Sequence, residues 1–146
     1  GTSKFFAAPG LRLGYAITGN SDLLSHINQY KNPWMINSLA EIAGRIMFSD
    51  EAYMKETKDL ISTERKKMYE ALSQSEKYQP FYPNANFMLI KILDDDLNSS
   101  ILFDRCIREK MMIRDCSTFP FLDDKFIRIC FMNPKDNEHL LNILMQ

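Results

Sequence analysis

Lys4 and Arg12 stand eight residues apart in the run Thr2-Ser3-Lys4-Phe5-Phe6-Ala7-Ala8-Pro9-Gly10-Leu11-Arg12-Leu13-Gly14-Tyr15. These are residue types that can do chemistry at that spacing. A primary amine near a fixed guanidinium, in partly apolar surroundings, has its pKa pushed below the reference value of about 10.4. More of it is then neutral and nucleophilic, as Schiff-base formation with an aldehyde requires. The planar fork of Arg12 suits a phosphate dianion, and Gly10 and Gly14 admit close approach of backbone where a Cβ would obstruct. Together they read as an aldehyde-and-phosphate site at one end of a strand. The bare spacing by itself favours a solvated lysine near a frayed terminus and a surface arginine, and only the full run with its downstream matches reverses that, since a short motif is a hypothesis until its context is known.

Two arginines of the second half, Arg114 and Arg128, are further candidates. Arg128 interrupts the apolar run 126–132, where an unpaired buried guanidinium would be costly, so an anionic partner is expected. That partner is either internal, with Asp123 and Asp124 nearest in sequence, or a ligand. Arg114 is a second candidate anion clamp, which could instead pair with Asp115 or Asp104. Two clamps would suit a substrate carrying both a carboxylate and a phosphate.

The elements that must position these groups follow from local signals. Residues 13–18 form a short apolar run ended by Gly19-Asn20, predicting a buried strand and a turn. Asn20 or Ser21 caps a helix with Leu23, Leu24, Ile27 and Tyr30 at helical spacing, ended by Asn32-Pro33. Asn37-Ser38 starts a second helix, to about Phe48, with a buried stripe of Leu39, Ile42, Ala43, Ile46 and Met47. Ser49 as a hydroxyl cap, followed by Asp50 and Glu51, predicts a long helix to Ser73. Its apolar contacts would be Tyr53, Leu60, Ile61, Met68 and Leu72, with Lys55, Glu56, Lys58, Arg65 and Lys66 solvated. Strand character then runs over 78–91, with a turn at Tyr82-Pro83-Asn84. Asn98 or Ser99 caps a helix over 101–110 whose inward residues are Ile101, Leu102, Cys106 and Ile107. A short strand at 111–115 precedes the clearest strand, 126–132, with Ile127, Ile129 and Phe131 on one face and Arg128 on the other. Asn133-Pro134 opens a final helix carrying Leu140, Leu141 and Leu144.

The opening run, K-x4-P-G-L-R-L-G-Y, resembles the active-site lysine segment of fold-type I pyridoxal-phosphate enzymes. It is closest to the class I/II aminotransferases of the histidinol-phosphate aminotransferase and threonine-phosphate decarboxylase group. The resemblance implies that Lys4 forms the internal aldimine and that Arg12 binds the phosphate of pyridoxal 5'-phosphate. It extends phosphate contact to Ser3, although the family usually carries Ser or Thr where this chain has Gly1. The strand F-I-R-I resembles the family strand whose arginine, here Arg128, binds the substrate carboxylate or phosphate. The run I-R-D-C-S-x-F, containing Arg114, resembles threonine-phosphate decarboxylases, and P-N-A-N-F, residues 83–87, resembles the start of the family's small domain.

The implied fold is α+β: a small C-terminal domain at 49–146 with its linking helix, plus a remnant of the large α/β domain at 1–48. The implied substrate is a small amino compound bearing a carboxylate, a phosphate or both, and the implied assembly is a homodimer. Transamination and decarboxylation both remain open. The resemblance spans essentially the whole chain but only the C-terminal part of such an enzyme. Its partners for the cofactor ring lie upstream of the lysine, so the chain alone is expected to bind the cofactor weakly, to show no turnover, and to expose apolar surface on its first helices. From a different class, a non-catalytic α+β interaction domain with Lys4 incidental is the competing reading.

Composition bounds the alternatives. A length of 146 residues and 45% hydrophobic content can bury the core of one domain, and a net charge of -1 gives no global basic field for nucleic acid or an anionic membrane. No run approaches the roughly 20 apolar residues of a membrane span. Cys106, Cys116 and Cys130 have no C-x2-C spacing, and His26 and His139 fall on separate helices, so no metal site is expected. An odd cysteine count without paired spacing makes the cytoplasm the default compartment. Neither Ser3 nor Ser117 lies in a nucleophile elbow, which argues against a hydrolase.

Overall fold

The computed structural model describes residues 1–146. The chain divides into two compact units, Gly1–Thr57 and Lys58–Gln146. The division falls inside a long helix rather than at residue 48.

The first unit contains helices and connections only. They are α1 (Thr2–Phe5), a 3-10 turn at Pro9–Leu11, α2 (Ser21–Tyr30), α3 (Ser38–Ser49) and the start of α4 (Glu51–Ser73). Local chemistry sets the helix starts. Asn20 Oδ1 accepts from the Leu23 N–H at 2.9 Å and Asn37 Oδ1 from the Ala40 N–H at 2.8 Å, satisfying donors that a helix N-terminus leaves orphaned. The cap of α4 is Asp50, which accepts from the Tyr53 N–H at 2.9 Å. The expected cap, Ser49, instead turns its hydroxyl back onto the Arg45 and Ile46 carbonyls of α3.

Two expectations fail in this unit for the same reason. Residues 13–18 are not a strand: backbone becomes a strand only when a neighbour completes its ladder, and this unit supplies none. Nor is the predicted stripe of α3 buried. Of that stripe Leu39, Ile42 and Ile46 stand exposed and Ala43 and Met47 are half-buried, while the residues turned fully inward are Ala40 and Gly44. On α2, Leu23, Leu24, Ile27 and Tyr30 are exposed as well, so apolar surface on the first helices is present as expected. Trp34, the only tryptophan, is 96% exposed.

The second unit is a four-stranded antiparallel sheet with helices over one face. Its strands are β1 (Tyr78–Pro80), β2 (Phe87–Ile92), β3 (Arg114–Asp115) and β4 (Phe126–Cys130), in spatial order β1-β2-β4-β3. Alternation along β2 and β4 sends Met88, Ile90, Ile92, Ile127 and Ile129 into the core. There they meet Met68 and Leu72 of α4, Leu102 and Cys106 of α5 (Ser99–Arg108), and Leu140, Ile143 and Leu144 of α6 (Pro134–Met145). Asn98 and Asn133 cap α5 and α6. Ile101 and Ile107 are largely exposed, so the inward stripe of α5 is narrower than its apolar residues suggest. Toward the start of α4, Tyr53 and Leu60 are also partly open, and Arg65 is half-buried rather than solvated.

Two polar devices lock this unit. Glu64 is 4% exposed on the buried face of α4, where Asn137 Nδ2 donates to its Oε2 at 2.7 Å. The same Asn137 side chain donates to the Met132 carbonyl and accepts from its N–H. Lys125 Nζ donates to the carbonyls of Asp94, Asp95 and Leu97 at 3.0, 3.2 and 2.7 Å, using all three ammonium donors on one loop. No helix is long and apolar enough to cross a membrane.

Candidate functional site

In the first unit, Lys4 lies on the helical turn α1 and not at the end of a strand; its side chain is exposed, and Ser3 beside it is half-buried. The turn is tied down by Thr2. This fully buried residue sends both its backbone N–H (3.2 Å) and its hydroxyl (2.7 Å) to the Leu13 carbonyl, so the segment closes on itself around Lys4 and Arg12. An aromatic cluster supports it. Phe6 stacks on Tyr53 at 5.5 Å, Phe5 meets Tyr53 edge-on at 6.2 Å, and Tyr53 Oη donates to the Phe5 carbonyl at 3.0 Å. Tyr53, read from the sequence as one apolar contact of a long helix, is thus a prop for the lysine turn. The aromatic density of Phe5, Phe6, Phe48 and Tyr53 was the available signal.

Arg12 follows the Pro9–Leu11 turn in the left-handed region, at φ 55° and ψ 35°. Its N–H and its Nη1 both donate to the Pro9 carbonyl, at 3.4 and 2.8 Å. The guanidinium is thereby oriented by its own loop with most of its donors still open. Asn37 adds a tie from the start of α3, donating from Nδ2 to the Leu11 carbonyl at 3.3 Å. Gly10 and Gly14 have no protein atom within 4 Å of where a Cβ would stand, and neither has a positive φ. Neither packing nor backbone conformation within the chain requires glycine there. The segment thus presents an oriented guanidinium and an exposed amine, groups of the kind a phosphate and an aldehyde would require.

The second unit brings its two arginines together. Arg114 of β3 is directly opposite Arg128 of β4 in the antiparallel register, so both leave the sheet on the same face. They line a cleft of about 580 Å³ at the β3 edge, with Ser100, Phe103, Asp115 and Cys130. Neither guanidinium has a carboxylate within ion-pair distance, so the salt bridges open to them from sequence, Arg128 with Asp123 or Asp124 and Arg114 with Asp115 or Asp104, are not formed. Aromatic rings take that place. The Arg128 Cζ lies 5.1 Å from the centre of the Phe87 ring and 5.9 Å from that of Phe119, and the Arg114 Cζ lies 5.5 Å from the Phe119 ring. Asp115 accepts the Ser117 N–H at 2.8 Å, which holds its carboxyl below the usual range. Burial raises the pKa of the Cys116 thiol. Phe87 and Phe119 close the two runs P-N-A-N-F and I-R-D-C-S-x-F, but their place beside the arginines was not readable, because it depends on the β2–β4 register and on the turn after β3.

Comparison with known proteins gives the family of the chain. A threonine-phosphate decarboxylase of Salmonella typhimurium is 30% identical over 142 residues, covering 97% of this chain and 38% of that protein. Among solved structures, the histidinol-phosphate aminotransferase of Clostridium acetobutylicum superposes with a TM-score of 0.88 at 36% identity, over 98% of this chain and 42% of the other. The L-threonine-O-3-phosphate decarboxylase of Porphyromonas gingivalis gives 0.82 at 25% identity, over 99% and 44%. The chain thus spans roughly two-fifths of the length of the proteins it resembles. Because the match to aminotransferase class I and II runs from residue 1 to residue 144, taking in both arginine-bearing segments and the lysine turn, the chain belongs to that family.

Proposed function

We propose that this chain carries residues of a pyridoxal-phosphate-dependent, aminotransferase-like enzyme acting on a small phosphorylated amino substrate. The observation that carries the reading is the cross-strand pair Arg114 and Arg128, two guanidiniums on one cleft, neither in ion-pair contact with Asp115, the one carboxylate that shares it. A ligand anion supplies what the chain withholds. In residues 1–57, Arg12 and Ser3 would hold the cofactor phosphate, and Lys4 Nζ would hold its aldehyde carbon and afterwards take and return the proton at the substrate Cα. When bound, the cofactor supplies the electron sink. In residues 58–146, Arg128 and Arg114 would grip the carboxylate or phosphate of the substrate and so fix which bond at Cα is broken.

A second reading, threonine-phosphate decarboxylation, is favoured by the run from Ile113 to Phe119 and by the Salmonella relative. Supplying histidinol phosphate and threonine phosphate to the whole enzyme that contains this chain, and following amino transfer against carbon dioxide release, separates the two. The lysine assignment is tested on the same whole enzyme. After incubation with pyridoxal phosphate and borohydride reduction, peptide mapping should find the label concentrated on Lys4, and excess inorganic phosphate should suppress it. Labelling spread evenly over the lysines, and unchanged in Arg12→Gln, would remove Lys4 and Arg12 from the proposal.

A further inference from the structure

The ring of Phe119 is shared by two guanidiniums that should repel each other. Arg114 and Arg128 occupy directly opposed positions of an antiparallel ladder, where like charges are destabilising. A protein commonly relieves such a pair with an ion-paired carboxylate, yet neither arginine has one in contact: Asp115, in the same cleft, takes the Ser117 N–H instead. The ring is placed independently of the arginines. The Phe119 N–H donates to the Cys116 carbonyl at 3.0 Å and the Phe119 carbonyl accepts from Leu122 at 3.1 Å, so two successive turns fix its backbone. Phe87, on β2 opposite Cys130, adds a second ring for Arg128 alone.

We propose that Phe119 is a positioning residue that holds both arginines toward the cleft while leaving their hydrogen-bond donors free. A carboxylate would hold them equally well, but it would occupy the N–H groups and cancel the charge a ligand must meet. A π face attracts the cation and accepts no conventional hydrogen bond. One ring over two guanidiniums therefore keeps the pair ordered and unspent. The inference rests on the reading above that Arg114 and Arg128 receive a ligand anion.

The test uses the intact 146-residue chain, inorganic phosphate as the probe, and Phe119→Leu, Phe119→Tyr, Phe87→Leu and Arg128→Gln. In the free protein, NMR should show the Arg114 and Arg128 Nε–H signals displaced by ring currents. In Phe119→Leu the Arg114 signal should lose that displacement and the Arg128 signal should lose part of it, whereas Phe87→Leu should move only Arg128. Losing two cation–π contacts should weaken phosphate binding roughly five- to thirtyfold in Phe119→Leu, and Phe119→Tyr should restore it. Unmoved arginine signals in Phe119→Leu, or binding as tight as in the parent, would overturn the positioning role while leaving the anion site standing. Phosphate binding that is absent from the parent, or untouched in Arg128→Gln, would overturn the anion site itself and this role with it.

Discussion

Tyr78 shows at the scale of one residue how the core of the second unit responds to solvent. Its phenol is 2% exposed and donates to the Leu144 carbonyl at 2.7 Å, and burial pushes its pKa up to about 12. The unfolded chain ionises tyrosine near 10. Stability from the neutral phenol is therefore complete below pH 10 and is lost as pH rises from about 10 to about 12. Cys106, pushed up to about 11 by the same burial, begins the loss at lower pH. The urea midpoint should fall steadily above about pH 9. Tyr78→Phe should flatten the part above pH 10, worth up to about 2–3 kcal/mol, at the expense of about 1 kcal/mol at neutral pH for the lost hydrogen bond. An alkaline limb identical in parent and variant would count against this assignment. Glu64 makes a complementary point: a glutamate within a charged helix reads as surface, and only Asn137, 73 residues away, shows it to be buried.

Among the elements, starts and the inward residues of the second unit's sheet and helices were largely readable, and burial in the first unit was not. A cap is a contact across three residues, and Asn20, Asn37, Asn98 and Asn133 all cap the helices their positions announce. A buried stripe or a strand needs a second surface, which is why residues 13–18 and the outer face of α3 departed from expectation. The lysine and arginine of the first unit were legible as a spacing. The clamp of Thr2 on Leu13, and the ring shared by Arg114 and Arg128, depend on register and on turns that no local pattern encodes. Asn37 joins the two kinds of information, because its Oδ1 caps α3 while its Nδ2 holds the carbonyl just before Arg12. Asn37→Ala should cost about 1 kcal/mol in the cap. It should also speed amide exchange at residues 11–13 together with the first turn of α3. Asn20→Ala is the control, and should disturb α2 alone. If exchange at 11–13 stays at the parent rate in Asn37→Ala, the link to Arg12 is wrong.

Across the whole molecule, the two units differ in how much they bury. Nearly all fully buried apolar side chains belong to residues 58–146, whereas Ala40 is the one buried apolar residue of residues 1–57. The single tryptophan sits in the poorer unit and is almost wholly in water. Indole emission reports the polarity around the ring, so the native protein should already fluoresce at the long wavelength of a solvent-relaxed tryptophan. Urea should shift that emission little while circular dichroism records the loss of the sheet, and a clear red shift on unfolding would contradict the exposed placement of Trp34. Poor as a gauge of folding, this one fluorophore is well placed as an optical sensor: any molecule that settles over it should announce itself by a shift to the blue.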